Sequence, residues 1–145
     1  MSMKTIAFLF LATCLLGCSD FADQEHFYVD PRLSEAVTAF FKEAENRGIP
    51  VQKDMLSVVI GPCSTSGRCE KTNNTAKITI NESFFRSGSP DPIALQYMVY
   101  HEFGHYMGRE HNDSFSIMNP NTYAGVYHND AAQREALIDE LFKFQ

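Results

Sequence analysis

The segment 101–111, HEFGHYMGREH, combines residue types that bind metal ions with a spacing that suits a single ion. His101 and His105 are four residues apart, and residues four apart lie on the same face of a helix. Glu102 lies about 100° further round the helix than His101, where its carboxylate can reach a water molecule on the metal without binding the metal itself. The spacing predicts a metal site that activates water.

A third ligand lies beyond the expected end of that helix. Gly108 comes three residues after His105, where a chain that leaves a helix sharply needs a residue that tolerates positive φ. His111 follows three residues later and can reach the metal from another direction. Zinc held by three protein nitrogens keeps its fourth position for water, as in catalytic zinc sites. We therefore expect one Zn²⁺ ion on His101, His105 and His111.

This segment resembles the HExxHxxGxxH signature of the metzincin zinc peptidases and matches it at every fixed position. The resemblance implies an enzyme, a zinc-dependent endopeptidase that cleaves peptides or proteins. In it, Glu102 takes a proton from the attacking water as general base and passes it to the leaving amine as general acid. In a gluzincin, a downstream glutamate such as Glu135 would replace His111 as the third ligand.

Residues 116–120, SIMNP, resemble the Met-turn that metzincins place under the metal, with Met118 as its methionine. The spacing from His111 to Met118, and the chain up to Tyr123, are most similar to the matrixin branch. In some metzincins a tyrosine near this turn stabilises the oxyanion, so Tyr123 has either that role or a place in core or S1′-wall packing. The resemblance also implies that residues 119–127 shape the S1′ side.

Two other functions stay open from the sequence. A zinc-bearing but inactive envelope-binding lipoprotein would keep the three ligands and do no chemistry, although the intact Glu102 argues against it. A structural surface lipoprotein without metal would have no reason for the eleven-residue signature.

The rest of the chain must position these residues, and hydrophobic periodicity indicates the elements that do so. Helices are expected at 31–47, 91–107 and 130–144, and strands at 55–60 and 76–80. The helix at 91–107 is apolar on more than one side and should be buried. This order of elements predicts an α+β fold, and the resemblance implies a small metzincin-like catalytic domain over 31–145 with a short twisted sheet.

The two strands are expected to differ in burial. Residues 55–60, MLSVVI, form an almost continuous apolar run, whereas residues 76–80, AKITI, alternate, so the first strand should be the more buried. An extended substrate would pair with an exposed strand edge, for which 76–80 or the loop before it is the candidate. The segment 63–75 is long enough to hold a further short strand or a loop braced by a disulfide.

The N-terminal segment resembles a bacterial lipoprotein signal. Lys4 precedes an apolar run, 5–16, that is shorter than the roughly 20 residues of a membrane-spanning helix. Leu15-Leu16-Gly17-Cys18 resembles a lipobox, which implies a signal peptide at 1–17 and a lipid anchor on Cys18. The alternative is an ordinary signal peptide with an incidental cysteine.

A lipidated chain would continue as a tether over 18–30, in which 27–29 joins the fold as a short strand. Ser19, by resemblance to enterobacterial lipoproteins, favours the outer membrane of the bacterial cell envelope, on either its periplasmic or its surface side. Export also places Cys63 and Cys69 in an oxidising compartment, where a disulfide is favoured over free thiols. Metal binding by this pair is disfavoured, because a closed zinc site needs four ligands.

The chain has 145 residues, 44% of them hydrophobic, and a net charge of −6. Its length and apolar fraction suit one globular domain, and we expect a monomer. An acidic chain without a run of lysines or arginines lacks the cations on which affinity for a phosphate backbone depends, so no nucleic-acid partner is expected. His26 and His128 lie outside the signature and are expected at the surface or in packing.

Overall fold

Three helices and four strands form the described part of the chain and confirm the predicted α+β class. The computed structural model describes residues 26–120, 127 and 129–143. In chain order the elements are β1 (Tyr28–Val29), α1 (Ser34–Asn46), β2 (Leu56–Gly61), β3 (Gly67–Lys71), β4 (Ala76–Asn81), α2 (Pro92–Tyr106) and α3 (Ala131–Leu141). Short 3-10 turns, Pro31–Leu33 and Glu82–Phe85, precede α1 and follow β4.

Several predictions fall on residues outside the described ranges. They concern the signal peptide at 1–17, the lipid anchor on Cys18, most of the tether, Tyr123 and His128. Among the helices of the described ranges, none has the length and apolarity that a membrane span requires.

Two of the helices, α2 and α3, start at aspartate residues that cap them. The side chain of Asp91 accepts hydrogen bonds from two backbone N–H groups in the first turn of α2, at 3.0 and 2.9 Å. Asp130 does the same for α3, at 2.9 and 3.0 Å. Gly108 has a φ of +90° just past the end of α2, the left-handed conformation that a glycine adopts most easily. Because α2 ends just before Gly108, His101 and His105 lie in its last two turns.

The strand order is β1-β2-β4-β3. β1, β2 and β4 run parallel, and β3 runs antiparallel to β4. Of the two segments named as a candidate strand edge, 76–80 is therefore wrong, because β4 is hydrogen-bonded on both sides. The segment before it is confirmed as an edge of the described sheet, because it contains β3, and this strand packs against α2.

The central position of β4 also reverses the predicted order of burial. Ala76, Ile78, Thr79 and Ile80 are all buried in β4, whereas β2 buries only Leu56 and Val58. The alternating sequence of 76–80 is typical of a strand with one solvent-exposed face. In the structure, β2 and β3 flank β4 and α2 packs on one of its faces, so that little of β4 is exposed.

Aromatic stacking joins α1 to α2 in the core. Phe40 of α1 and Phe103 of α2 are fully buried, and their rings stack with centroids 4.1 Å apart. Phe142, just after α3, lies 5.3 Å from Phe40 on another side. The predicted burial of α2 is confirmed, since residues on several of its faces are buried.

Gly104 allows two other segments to approach α2 closely. A Cβ atom at this position would overlap the sulfur of Met118 and lie 3.1 Å from Cδ1 of Leu141. Both neighbours are fully buried. A side chain at 104 would therefore push the turn around Met118, and the end of α3, away from the helix that carries the histidines.

The predicted disulfide is not formed, because Cys63 and Cys69 are free thiols in the structure. Cys69 lies within β3, opposite Ile78 of β4, while Cys63 stays in the loop after β2 and donates a hydrogen bond to the carbonyl of Thr65 at 3.2 Å. Hydrogen bonds hold the loop instead: the Asn81 side-chain amide donates to the carbonyls of Cys63 and Thr65 at 2.7 and 2.8 Å.

We expect Gly104→Ala to lower the free energy of unfolding by about 1–3 kcal/mol, because it overpacks a filled core. Helix propensity alone predicts the opposite sign, a gain of about 1 kcal/mol. Urea unfolding followed by far-UV circular dichroism measures the change. The Met118→Ala background is the control: there the same substitution should cost much less. Stabilisation of the wild-type background by Gly104→Ala would contradict the packing.

Candidate metal centre

The structure brings together the three histidines of the signature. Nε2 of His111 lies 3.2 Å from Nε2 of His101 and 3.1 Å from Nε2 of His105. The ligand atoms of all three residues lie within 4.8 Å of one another, close enough to hold a metal ion. His101 and His105 come from successive turns of α2, and His111 reaches them from the chain beyond Gly108.

Hydrogen bonds to backbone carbonyls orient two of the three rings. Nδ1 of His101 lies 2.7 Å from the carbonyl oxygen of Ile117, and Nδ1 of His105 lies 2.9 Å from that of Arg109. A carbonyl can only accept, so Nδ1 carries the hydrogen in both rings. In a neutral imidazole the other nitrogen, Nε2, then presents a lone pair. This is the arrangement in which metal-binding histidines are usually held.

The lone pairs do not satisfy one another. Those of His101 and His105 both face Nε2 of His111, which can donate at most one hydrogen. At least one of the two lone pairs is therefore left without a hydrogen to accept. Burial, with the two neighbouring imidazoles, also lowers the pKa of His101. A cation between the three nitrogens would give each lone pair a partner, so the donor set fits a metal ion.

Glu102 lies beside the histidines with an unsatisfied carboxylate. The residue is 3% exposed, and within the described ranges its Oε2 atom has no hydrogen-bond partner. Burial raises the pKa of Glu102 to about 7. A buried carboxylate oxygen without a partner is costly, and such groups are commoner at functional sites than elsewhere.

Gly67 of β3 makes room for Glu102. A Cβ atom at position 67 would lie 2.5 Å from Oε1 and 2.9 Å from Cδ of that carboxylate. Sequence reasoning missed Gly67, because a glycine in a Ser- and Gly-rich segment is typical of a loop. The distance between residues 67 and 102 along the chain leaves no local signal of this contact.

A cleft of about 800 Å³ contains the site. Residues of the edge strand β3 and of α2 line it, together with residues of the chain after α2. Its lining includes the three histidines and Glu102, together with Gly67, Cys69, Phe84, Tyr97 and Met98. Burial and the Glu102 carboxylate raise the pKa of Cys69 to about 11, which favours the neutral thiol over the thiolate that binds metals.

The turn that contains Met118 also helps to orient His101. Its Ile117 carbonyl accepts from that ring, and the backbone N–H of Met118 donates to Ser116 Oγ at 3.0 Å. The backbone N–H of Asn119 closes the turn on the Ser116 carbonyl at 3.2 Å. Met118 itself lies against Gly104, one helical turn from His101 along α2.

Glu135, the alternative third ligand, is engaged elsewhere. Its Oε1 atom pairs with Nη2 of Arg47 at 2.9 Å, and within the described residues it is not part of the group that could hold a metal.

The chain was compared with known protein families, with curated proteins and with solved structures, and none of the three comparisons finds a match.

We expect His111→Ala to weaken zinc binding by more than about 100-fold, since loss of a supporting partner alone costs about 10- to 100-fold. Glu135→Ala is the matched control, because it removes a polar side chain of α3 and should leave the affinity unchanged. Competition with a chromophoric chelator measures both. Loss of zinc in the Glu135 variant, with full binding in the His111 variant, would show that the third ligand is wrong.

Proposed function

We propose that the protein is a zinc-dependent endopeptidase of the metzincin type. One observation carries the proposal: the ligand atoms of three histidines converge within 4.8 Å of one another, in a cleft that also contains a buried carboxylate oxygen without a partner among the described residues. Together they supply the parts that hydrolysis of a peptide bond requires.

Zinc is the ion that this donor set suits best, since it readily accepts three imidazoles in a tetrahedral site with one position open. When bound, it supplies a water of lowered pKa and a Lewis acid for the carbonyl oxygen. His101, His105 and His111 would hold it. The hydrogen bonds from Nδ1 keep the first two rings from turning, so that the metal position is set before the ion arrives.

Glu102 would move the proton. Its Oε2 atom has no hydrogen-bond partner in the part of the chain that the structure describes, so it can accept a proton from the attacking water and then deliver it to the leaving amine. Gly67 leaves space for the other oxygen, since a Cβ atom at position 67 would overlap it. Glu102 itself is only 3% exposed, and this burial strengthens the electrostatic interactions of its carboxylate.

The cleft suits an extended peptide. β3 is the last strand in the order of the described sheet, so its outer edge offers backbone N–H and C=O groups to a substrate strand. The same strand lines the cleft beside Glu102. A peptide bound along β3 would therefore carry its backbone past the metal position.

The N-terminal resemblance to a lipobox supports a lipid anchor on Cys18 as part of this proposal. β1 begins at Tyr28, about ten residues after that cysteine. Such an anchor would hold the peptidase close to a membrane of the bacterial cell envelope, where its substrates would be peptides or proteins.

We expect Glu102→Gln to lower the rate at which a peptide library is cleaved by about 10²- to 10⁴-fold, the usual contribution of a general base. Zinc content should stay at one ion per chain, because Glu102 is not a ligand. Mass spectrometry of the digest and elemental analysis of the same sample measure the two quantities. Undiminished cleavage by the variant would reject the mechanism.

Gly67→Ala should also lower kcat with zinc retained, by up to about 100-fold, because the new methyl group displaces Glu102 from its position. Gly61→Ala in β2 is the matched control, since a Cβ there makes an ordinary 3.5 Å contact with Thr79. The two variants share the chemical change and the sheet. Equal activities would show that the approach of Gly67 to Glu102 has no part in catalysis.

A further inference from the structure

Arg109 occupies one of the unspecified positions of the signature, directly after the glycine that ends α2, and its side chain is largely buried. Nη1 of Arg109 donates to three backbone carbonyls at the end of α3, those of Glu140, Leu141 and Lys143, each at 2.9 Å. Nη2 forms an ion pair with the Glu140 carboxylate. The guanidinium therefore caps the C-terminus of α3, where carbonyls lack partners and positive charge is favourable.

The other carboxylate oxygen of Glu140 connects the Arg109 guanidinium to the turn that contains Met118. It accepts a hydrogen bond from Ser116 Oγ at 2.7 Å, and that hydroxyl oxygen accepts from the backbone N–H of Met118 at 3.0 Å. Ser116 is fully buried, which shields its hydroxyl group from bulk water. The residue between the two, Ile117, gives its carbonyl to Nδ1 of His101.

The backbone of Arg109 completes a second connection, because its carbonyl accepts from Nδ1 of His105. Arg109 thus orients His105 directly through its carbonyl. Its side chain is connected through Glu140 and Ser116 to the turn that orients His101. We propose that Arg109 and Glu140 are positioning residues, which hold the rings of His105 and His101 in the orientation that binds the metal. This inference rests on the proposed metal centre.

Arg47 provides a comparison within the same chain. It follows α1 and pairs with Asp139 at 2.6 Å and with Glu135 at 2.9 Å, and its guanidinium lies over the ring of Phe142. Arg47 therefore also ties α3 to the rest of the domain. Across the described ranges, none of these partners hydrogen-bonds to a segment that orients a histidine, so loss of Arg47 should remove stability without removing the connection.

The test uses the full chain with Arg109→Ala, Arg109→Lys and Arg47→Ala. The probes are Zn²⁺, titrated against a chromophoric chelator, and Co²⁺, whose visible absorption reports ligand geometry. Arg109→Ala should weaken Zn²⁺ binding by about 10- to 100-fold and alter the Co²⁺ spectrum. Arg109→Lys should restore only part of both, because an ammonium lacks the planar fork that serves several carbonyls and a carboxylate at once.

Arg47→Ala should lower the urea midpoint yet leave Zn²⁺ affinity within about twofold of wild type, with an unchanged Co²⁺ spectrum. Equal loss of affinity in the Arg47 and Arg109 variants would overturn the proposal, since global stability would then explain both. If Arg109→Ala does not fold, the nearly isosteric Glu140→Gln decides: a weakened affinity with an altered Co²⁺ spectrum supports the proposal, and wild-type values for both overturn it.

The outcome is separable from that of the proposed function. A wild-type chain that binds zinc but cleaves no peptide would reject the peptidase and leave the positioning role to be judged on affinity alone. Wild-type affinity and spectrum in Arg109→Ala, with cleavage intact, would reject only the positioning role.

Discussion

The hydrogen bonds from His101 and His105 to backbone carbonyls determine which ring nitrogens face the cleft. With each Nδ1 hydrogen donated to Ile117 or Arg109, the two Nε2 lone pairs point at the same place as His111. Such a cluster of acceptors is unfavourable without a cation. The surrounding fold must therefore hold the two carbonyls in place and leave room for an ion.

The two carbonyls are held in place because other segments approach α2 closely. The turn that contains Ile117 reaches the helix because Gly104 has no side chain to obstruct Met118. The carbonyl of Arg109 reaches His105 because Gly108 adopts a positive φ that reverses the chain. On the opposite side, Gly67 lets β3 approach Glu102. Each glycine adds backbone entropy to the unfolded state, which aromatic packing between α1 and α2 must offset.

The parts of this structure that depend on local sequence could be predicted. Helix bounds follow from Asp91, Asp130 and Gly108, and the convergence of the histidines follows from helical spacing plus one glycine. Contacts between distant segments could not be predicted. Periodicity indicates that 76–80 is a strand but not that it has a neighbour on each side. The disulfide failed for the same reason, because a spacing of six residues does not determine the fold around the two cysteines: Cys69 pairs with β4 as part of β3, and Cys63 lies in the loop after β2.

The claim that three histidines form an open site can be tested by zinc K-edge X-ray absorption on the purified, zinc-loaded chain. We expect a first shell of three imidazole nitrogens and one oxygen, all at about 2.0–2.1 Å. Cys69 lines the same cleft, so a closed alternative is chemically available. A sulfur at about 2.3 Å, or a fourth imidazole with no oxygen, would contradict the claim, because neither leaves a position for water.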